Sequence, residues 1–287
     1  MACSSRTPWQ ATVSRLIAER GVTVTRNLAF GPGDRDRYDL YEPPTNRPIV
    51  GVAQFVYGGS WETGERGCYE FVGAALAKRG IRTVIADYRL YPDAEFPEFV
   101  QDAARAYVHT WLHHRETTAA PILIGHSAGA HIAALLAGDV RYISDISSDT
   151  PPPQKFIGLS GPYAFDPTTW DTTKHIFTRA QATPEIARPI ALATADFPET
   201  LLIHGARDEI VTPNASTEFH DALTAAGARS HLHIVRHLGH AGPVLAFAKP
   251  LRWWGPTLRL ITAFVRPGGD VRKQQRRVKT AEVAPIA

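Results

Sequence analysis

Short apolar runs and longer apolar stripes with a helical repeat alternate along almost the whole chain. Val22–Ala29 and Arg37–Tyr41 have strand character, and Gly31-Pro32-Gly33-Asp34 between them is turn chemistry, which predicts an antiparallel pair. Ile49–Val56 is the next strand, Phe71–Arg79 a helix, and Arg82–Asp87 a buried strand. The clearest helix is Phe99–His113, where Val100, Ala103, Ala104, Tyr107, Val108 and Trp111 recur at 3.6-residue spacing on one face. Ile122–Ile124, Phe156–Leu159, Thr200–His204 and His231–Val235 are later strands, with helices over Thr212–Ala226 and Pro256–Val265. Such alternation predicts an α/β fold: a mostly parallel, doubly wound sheet with helices on both faces. Right-handed crossovers then put the C-terminal ends of the parallel strands, and the loops leaving them, along one edge where ligands bind.

One stretch breaks the alternation. Residues 161–198 carry Tyr163, Phe165, Trp170 and Phe177 among prolines, with little periodicity. Aromatic excursions of this length wall pockets more often than they decorate surfaces, so the segment is expected to be a short cap over the sheet edge. The main folded domain is thus expected over residues 22–266, after an N-terminal segment, 1–21.

Composition narrows this picture only slightly. The chain of 287 residues is 44% hydrophobic and 21% charged, with a net charge of +3, ordinary globular values. Arg272, Lys273, Arg276, Arg277 and Lys279 crowd residues 267–287, which read as a flexible basic tail. Two cysteines, Cys3 and Cys68, rule out a disulfide scaffold and suit a reducing, cytoplasmic setting. The N-terminal residues lack the apolar core of a signal peptide, and no run approaches the ~20 apolar residues of a membrane span. No nucleic-acid partner, metal or cofactor is expected.

The chemistry starts at Pro121–Gly129, where an apolar strand enters Gly125-His126-Ser127-Ala128-Gly129 and a small-residue helix follows. This is a nucleophile elbow in the strand–turn–helix setting it requires. The turn lifts Ser127 clear of the sheet, and side chains at 125 or 129 would strike neighbouring backbone, so both are glycine. A serine hydroxyl needs a base, and the base an orienting carboxylate, in the chain order serine, acid, histidine on this kind of sheet. Asp208 lies just past the strand Leu201–His204, and His240 lies in a Gly-flanked loop after His231–Val235. Asp196, Glu199 and Glu209 are rivals for the acid and His237 for the base; His204, inside a strand, reads as structural. The oxyanion needs backbone donors, expected from Ala128 and from Gly59 and Ser60 in Tyr57-Gly58-Gly59-Ser60-Trp61.

With these residues in view the chain resembles the α/β-hydrolase superfamily over about residues 20–266, and within it the branch of carboxylesterases and arylformamidases. The resemblance rests on Tyr57–Trp61 against that branch's His-Gly-Gly-x-Trp and on Asp87-Tyr88-Arg89-Leu90-Tyr91-Pro92 with Phe96-Pro97. It rests too on Gly125–Gly129, His204-Gly205 with Asp208, and Gly239-His240. It implies the nucleophile, acid and base roles for Ser127, Asp208 and His240, and a structural bracing role for Asp87 and Arg89. It implies carboxylic ester hydrolysis of a small-molecule substrate, with amide (N-formylkynurenine) hydrolysis or a ligand-binding homologue without turnover as alternatives. Trp61, Tyr88, Phe165 and Phe177 are the candidate walls of an apolar pocket. The departure is Tyr57, which stands where the branch has histidine.

Overall fold

The computed structural model describes residues 19–116, 119–266 and 268–276. Eight strands form one sheet: β1 (Thr23–Ala29), β2 (Arg37–Glu42), β3 (Gly51–Val56), β4 (Ile81–Ala86), β5 (Ile122–His126), β6 (Lys155–Leu159), β7 (Glu199–Gly205) and β8 (Ser230–Val235). Their spatial order is β1-β2-β4-β3-β5-β6-β7-β8. The first two pairings, β1 with β2 and β2 with β4, are antiparallel, and the remaining five are parallel. A register shift between Thr25 and Leu28 bends β1, and Asn27 sits there at φ 60° with its amide on Asp39 Oδ1.

The helices are α1 (Glu70–Ala77), α2 (Glu98–His114), α3 (Ala128–Gly138), α4 (Arg141–Ser144), α5 (Asn214–Ala225), α6 (Gly242–Leu245) and α7 (Thr257–Val265). Alternate residues of β2 show how the layers form. Leu40 packs with Ala106 of α2, whereas Tyr41 meets the bare backbone of Gly73 in α1. Successive strand residues face opposite sides, so α1 and α2 cover opposite faces of the sheet. The stripe expected on the second helix is buried in full. Every residue of β5 is buried, as a central parallel strand covered on both faces requires.

Residues 161–198 hold neither strand nor α-helix. They turn through three short 3₁₀ segments, Thr178–Ala180, Pro184–Ala187 and Pro189–Leu192. The segment is tied to the rest of the fold and to itself: Phe96 N–H donates to Ile176 O at 2.9 Å, and within it Ile190 N–H donates to Tyr163 O at 3.0 Å. The described part of the tail is also docked rather than free. Residues 271–276 are helical, Val271 is buried, and Gln275 Nε2 donates to Leu232 O at 3.1 Å. The rest of the expected tail, and residues 1–18, lie outside the described residues. No described helix is long and apolar enough to cross a membrane, and no described group of His, Cys, Asp and Glu is placed to hold a metal.

Candidate active site

Strand register brings the site together. Val56 at the end of β3 lies beside Gly125 of β5, His126 lies beside Leu159, and Gly205 of β7 lies beside Val235 of β8. The loops that follow, carrying Tyr57–Trp61, Ser127, Asp208 and His240, therefore leave the same edge.

Ser127 sits at φ 55°, ψ −126°, a region costly for a residue with a Cβ. The surroundings hold it there. Its N–H donates to Leu159 O at 2.9 Å, and its carbonyl accepts from Ala130 and His131 in the first turn of α3. The flanking glycines leave no room for a side chain. A Cβ on Gly125 would fall 2.4 Å from Gly129 O, and one on Gly129 would fall 2.2 Å from both Val56 O and Tyr57 O. A Cβ on Gly58 would come within 2.9 Å of Ser127 Cβ.

Ser127 Oγ donates to His240 Nε2 at 2.8 Å, and His240 Nδ1 donates to Asp208 Oδ2 at 2.8 Å. Asp208 Oδ1 accepts the amides of Ile210 (3.0 Å) and Val211 (2.9 Å). Burial acts to raise the Asp208 pKa, but hydrogen bonds from His204, His240 and Val211 outweigh it and hold the carboxyl well below the usual carboxylate range. The geometry joins none of the rivals to Ser127. His237 donates to Trp254 O, Glu199 pairs with Lys155, and Glu209 is exposed. Beneath His240 lies His126, whose Nε2 is 3.4 Å from His240 O; burial, then the nearby His240, push its pKa down to about 3. Two backbone partners that reasoning on sequence passed over are the Ile210 and Val211 amides; an Asx-type turn after Asp208 is the signal that could have found them.

Gly59 (φ 144°), Ser60 (φ 54°) and Trp61 (φ 62°) hold left-handed backbone beside the serine. Among the described residues, the amides of Gly59, Ser60 and Ala128 donate to no other backbone group. Tyr57, which replaces the branch's histidine, is fully buried and builds this loop's support. Its hydroxyl donates to Asp87 Oδ1 at 2.9 Å and accepts from Arg35 at 2.7 Å. Arg35 also donates to Tyr88 O and Gly64 O, and Arg66 pairs with Asp87. Arg89 grips Asp102 of α2 through two nitrogens at 2.9 Å each. Asp87 and Arg89 thus both make bracing contacts.

The pocket residues divide. Trp61, Phe165 and Phe177 share one aromatic cluster with His131: Trp61 stacks on Phe165 at 6.2 Å and meets Phe177 edge-on at 5.1 Å. Phe165 continues to the exposed Trp170 at 6.1 Å. Tyr88 and Phe177 do not wall a pocket as expected. Tyr88 stacks on Tyr57 at 4.7 Å and donates to Tyr57 O at 2.9 Å, and Phe177 is sealed between Phe96, Phe99 and Trp61. Both are core residues.

The chain is 30% identical over 256 residues to the probable isoprenylcysteine alpha-carbonyl methylesterase ICMEL2 of Arabidopsis thaliana, covering 80% of this chain and 59% of that protein. It therefore spans about three-fifths of that relative's length. It is 29% identical to esterase LipC of Mycobacterium tuberculosis, covering 91% of this chain and 68% of LipC. The solved structure of a thermophilic esterase from Thermogutta terrifontis, with propionate bound, superposes with a TM-score of 0.70 at 21% identity, covering 86% of this chain and 94% of that one. At that identity the likeness speaks for the fold. The BD-FAE family model matches residues 38–150, and the serine hydrolase (FSH1) family model matches residues 97–242, half of the chain. An elbow serine, on an eight-stranded α/β-hydrolase sheet, inside a match of that extent gives the family: the chain belongs to the serine hydrolases.

Proposed function

We propose that the chain is a carboxylic ester hydrolase that works through an acyl-enzyme on Ser127. The observation that carries this reading is the unbroken line Ser127 Oγ, His240 Nε2, His240 Nδ1, Asp208 Oδ2, with 2.8 Å at both hydrogen bonds. Ser127 attacks the ester carbonyl as His240 Nε2 accepts its proton. Asp208, ionised and filled with donors, holds the imidazole and stabilises its cation. The oxyanion is received by the amides of Ala128, Gly59 and Ser60, donors that have no other backbone acceptor. His240 then protonates the leaving alcohol, and water repeats the sequence in reverse.

The methyl esters named for the plant relative make esters of small alcohols the first substrates to try. A cap over residues 161–198 and a cytoplasmic setting, which rests on the two cysteines, belong to the same reading. Hydrolysis of p-nitrophenyl butyrate by the wild type, reduced by about 10⁴–10⁶-fold in Ser127→Ala, is the expected result. Activity that survives Ser127→Ala overturns the assignment. Faster turnover of N-formylkynurenine than of any ester would transfer it to amide hydrolysis. Failure of a fluorophosphonate to label folded wild-type protein would point to a ligand-binding homologue.

A further inference from the structure

Asp208 Oδ2 carries a second imidazole. His204 Nε2 lies 3.0 Å from it, beside the His240 bond at 2.8 Å. The other atom near His204 Nε2 is Val211 O at 2.9 Å, so both of its neighbours only accept, and Nε2 bears the hydrogen. On the far side, Ser216 Oγ of α5 lies 2.7 Å from His204 Nδ1, placed to donate its hydroxyl hydrogen. The side chains of His204 and Asp208 are both fully buried. With Ile210 and Val211 on Oδ1, four donors fill the carboxylate. The steps proposed above use three of the residues in this cluster and leave His204 idle.

We infer that His204 is a positioning residue that sets how strongly Asp208 pulls on His240. This rests on the proposed roles of Ser127, Asp208 and His240. Each donor on a carboxylate oxygen draws off part of its negative charge. A second imidazole on the same oxygen therefore weakens what His240 receives, and its cation is less stabilised. The same bond distinguishes the two carboxylate oxygens and stops the group from rotating away from His240. The titratable groups facing Asp208 and His240 are His126 from the β5 end and His204 from β7; Arg207 and Glu209 flank Asp208 but are exposed, and His237 turns to Trp254.

The test is the pH profile of kcat/KM on p-nitrophenyl butyrate, whose acid limb reports the free enzyme's base. His204→Leu keeps the volume and removes the donor. It moves the acid limb upward by about half to one pH unit and lowers kcat roughly tenfold. His204→Gln, whose side-chain nitrogen reaches as far as Nε2, leaves the limb within about 0.2 unit of wild type. Ser216→Ala touches neither Asp208 nor His240. It removes the donor that polarises the imidazole, so the limb moves the same way by a smaller amount. An acid limb unmoved in His204→Leu, with kcat lowered, overturns the inference and leaves a structural role. Should His204→Leu fail to fold, an unmoved limb in Ser216→Ala overturns it instead. Esterase activity that persists in Ser127→Ala counts against the underlying reading, and is told apart from both results.

Discussion

At the scale of single residues, the site is governed by atoms that leave no room and by hydroxyls that fill a gap. Gly129 is the sharpest case. Its missing Cβ would be 2.2 Å from two backbone carbonyls that cannot swing aside as a side chain could. Gly129→Ala should cost at least about 2 kcal/mol, read as a lower urea midpoint, and should abolish ester hydrolysis in whatever protein folds. An alanine variant of wild-type stability would contradict the packing described. Tyr57 gives the converse case. Tyr57→Phe keeps the stacked ring but leaves Arg35 and Asp87 without the hydroxyl that joins them. The loss is about 1–3 kcal/mol of stability, with kcat lowered more than KM is raised, because the loop that it braces carries the proposed oxyanion donors. Equal stability of the wild type and the Tyr57→Phe variant would show the hydroxyl to be dispensable. The placement of Asp208 and His240 beside Ser127 was legible in the sequence because each follows a buried strand at a glycine-marked turn. The support of Tyr57 was not, since Arg35 reaches it from 22 residues away by a route that only the folded sheet supplies.

At the scale of elements, the apolar runs that mark β5 and β7 were readable because parallel central strands are buried on both faces and need no alternation. Helix ends moved by a residue or two, as fraying ends do. The strand order was not readable: β4 lies between β2 and β3, and nothing local to these segments specifies which neighbours pair. The aromatic insertion was visible as a break, but its residues could not be sorted. Phe177 and Tyr88 carry the same apolar signature whether they line a pocket or fill a core, and here they fill the core. One element-scale bond holds the insertion to α3. His131 Nε2 donates to Ala187 O at 2.8 Å, wholly buried. His131→Leu should leave the sheet intact, as judged by far-ultraviolet circular dichroism, while limited proteolysis within residues 161–198 becomes faster. Unchanged cleavage would mean that the other ties suffice.

For the whole molecule, buried imidazoles set the acid side of stability. His126 and His131 are enclosed as neutral groups, with burial pushing their pKa values down to about 3 and about 4. In the unfolded chain they take up protons below about pH 6.5. Unfolding therefore gains protons, and stability falls as pH drops from that value toward the folded pKa values. Asp208 acts in the same direction lower down, because its depressed folded pKa stabilises the protein above about pH 4 and ceases to as the carboxylate is protonated. Stability in urea should be lower at pH 5 than at pH 7 by at least about 2 kcal/mol, and a flat profile would show that these rings gain solvent in the folded protein. The close seat of Gly129 under the end of β3 has a consequence for anyone who would redesign this chain. The turn that carries Ser127 and the glycine loop beside it share one contact surface with no slack, so neither can be recut alone. The 161–198 segment pairs with no strand, and its cluster opens to solvent at Trp170. New specificity has room to be written there, with the reacting end of the sheet left as it is.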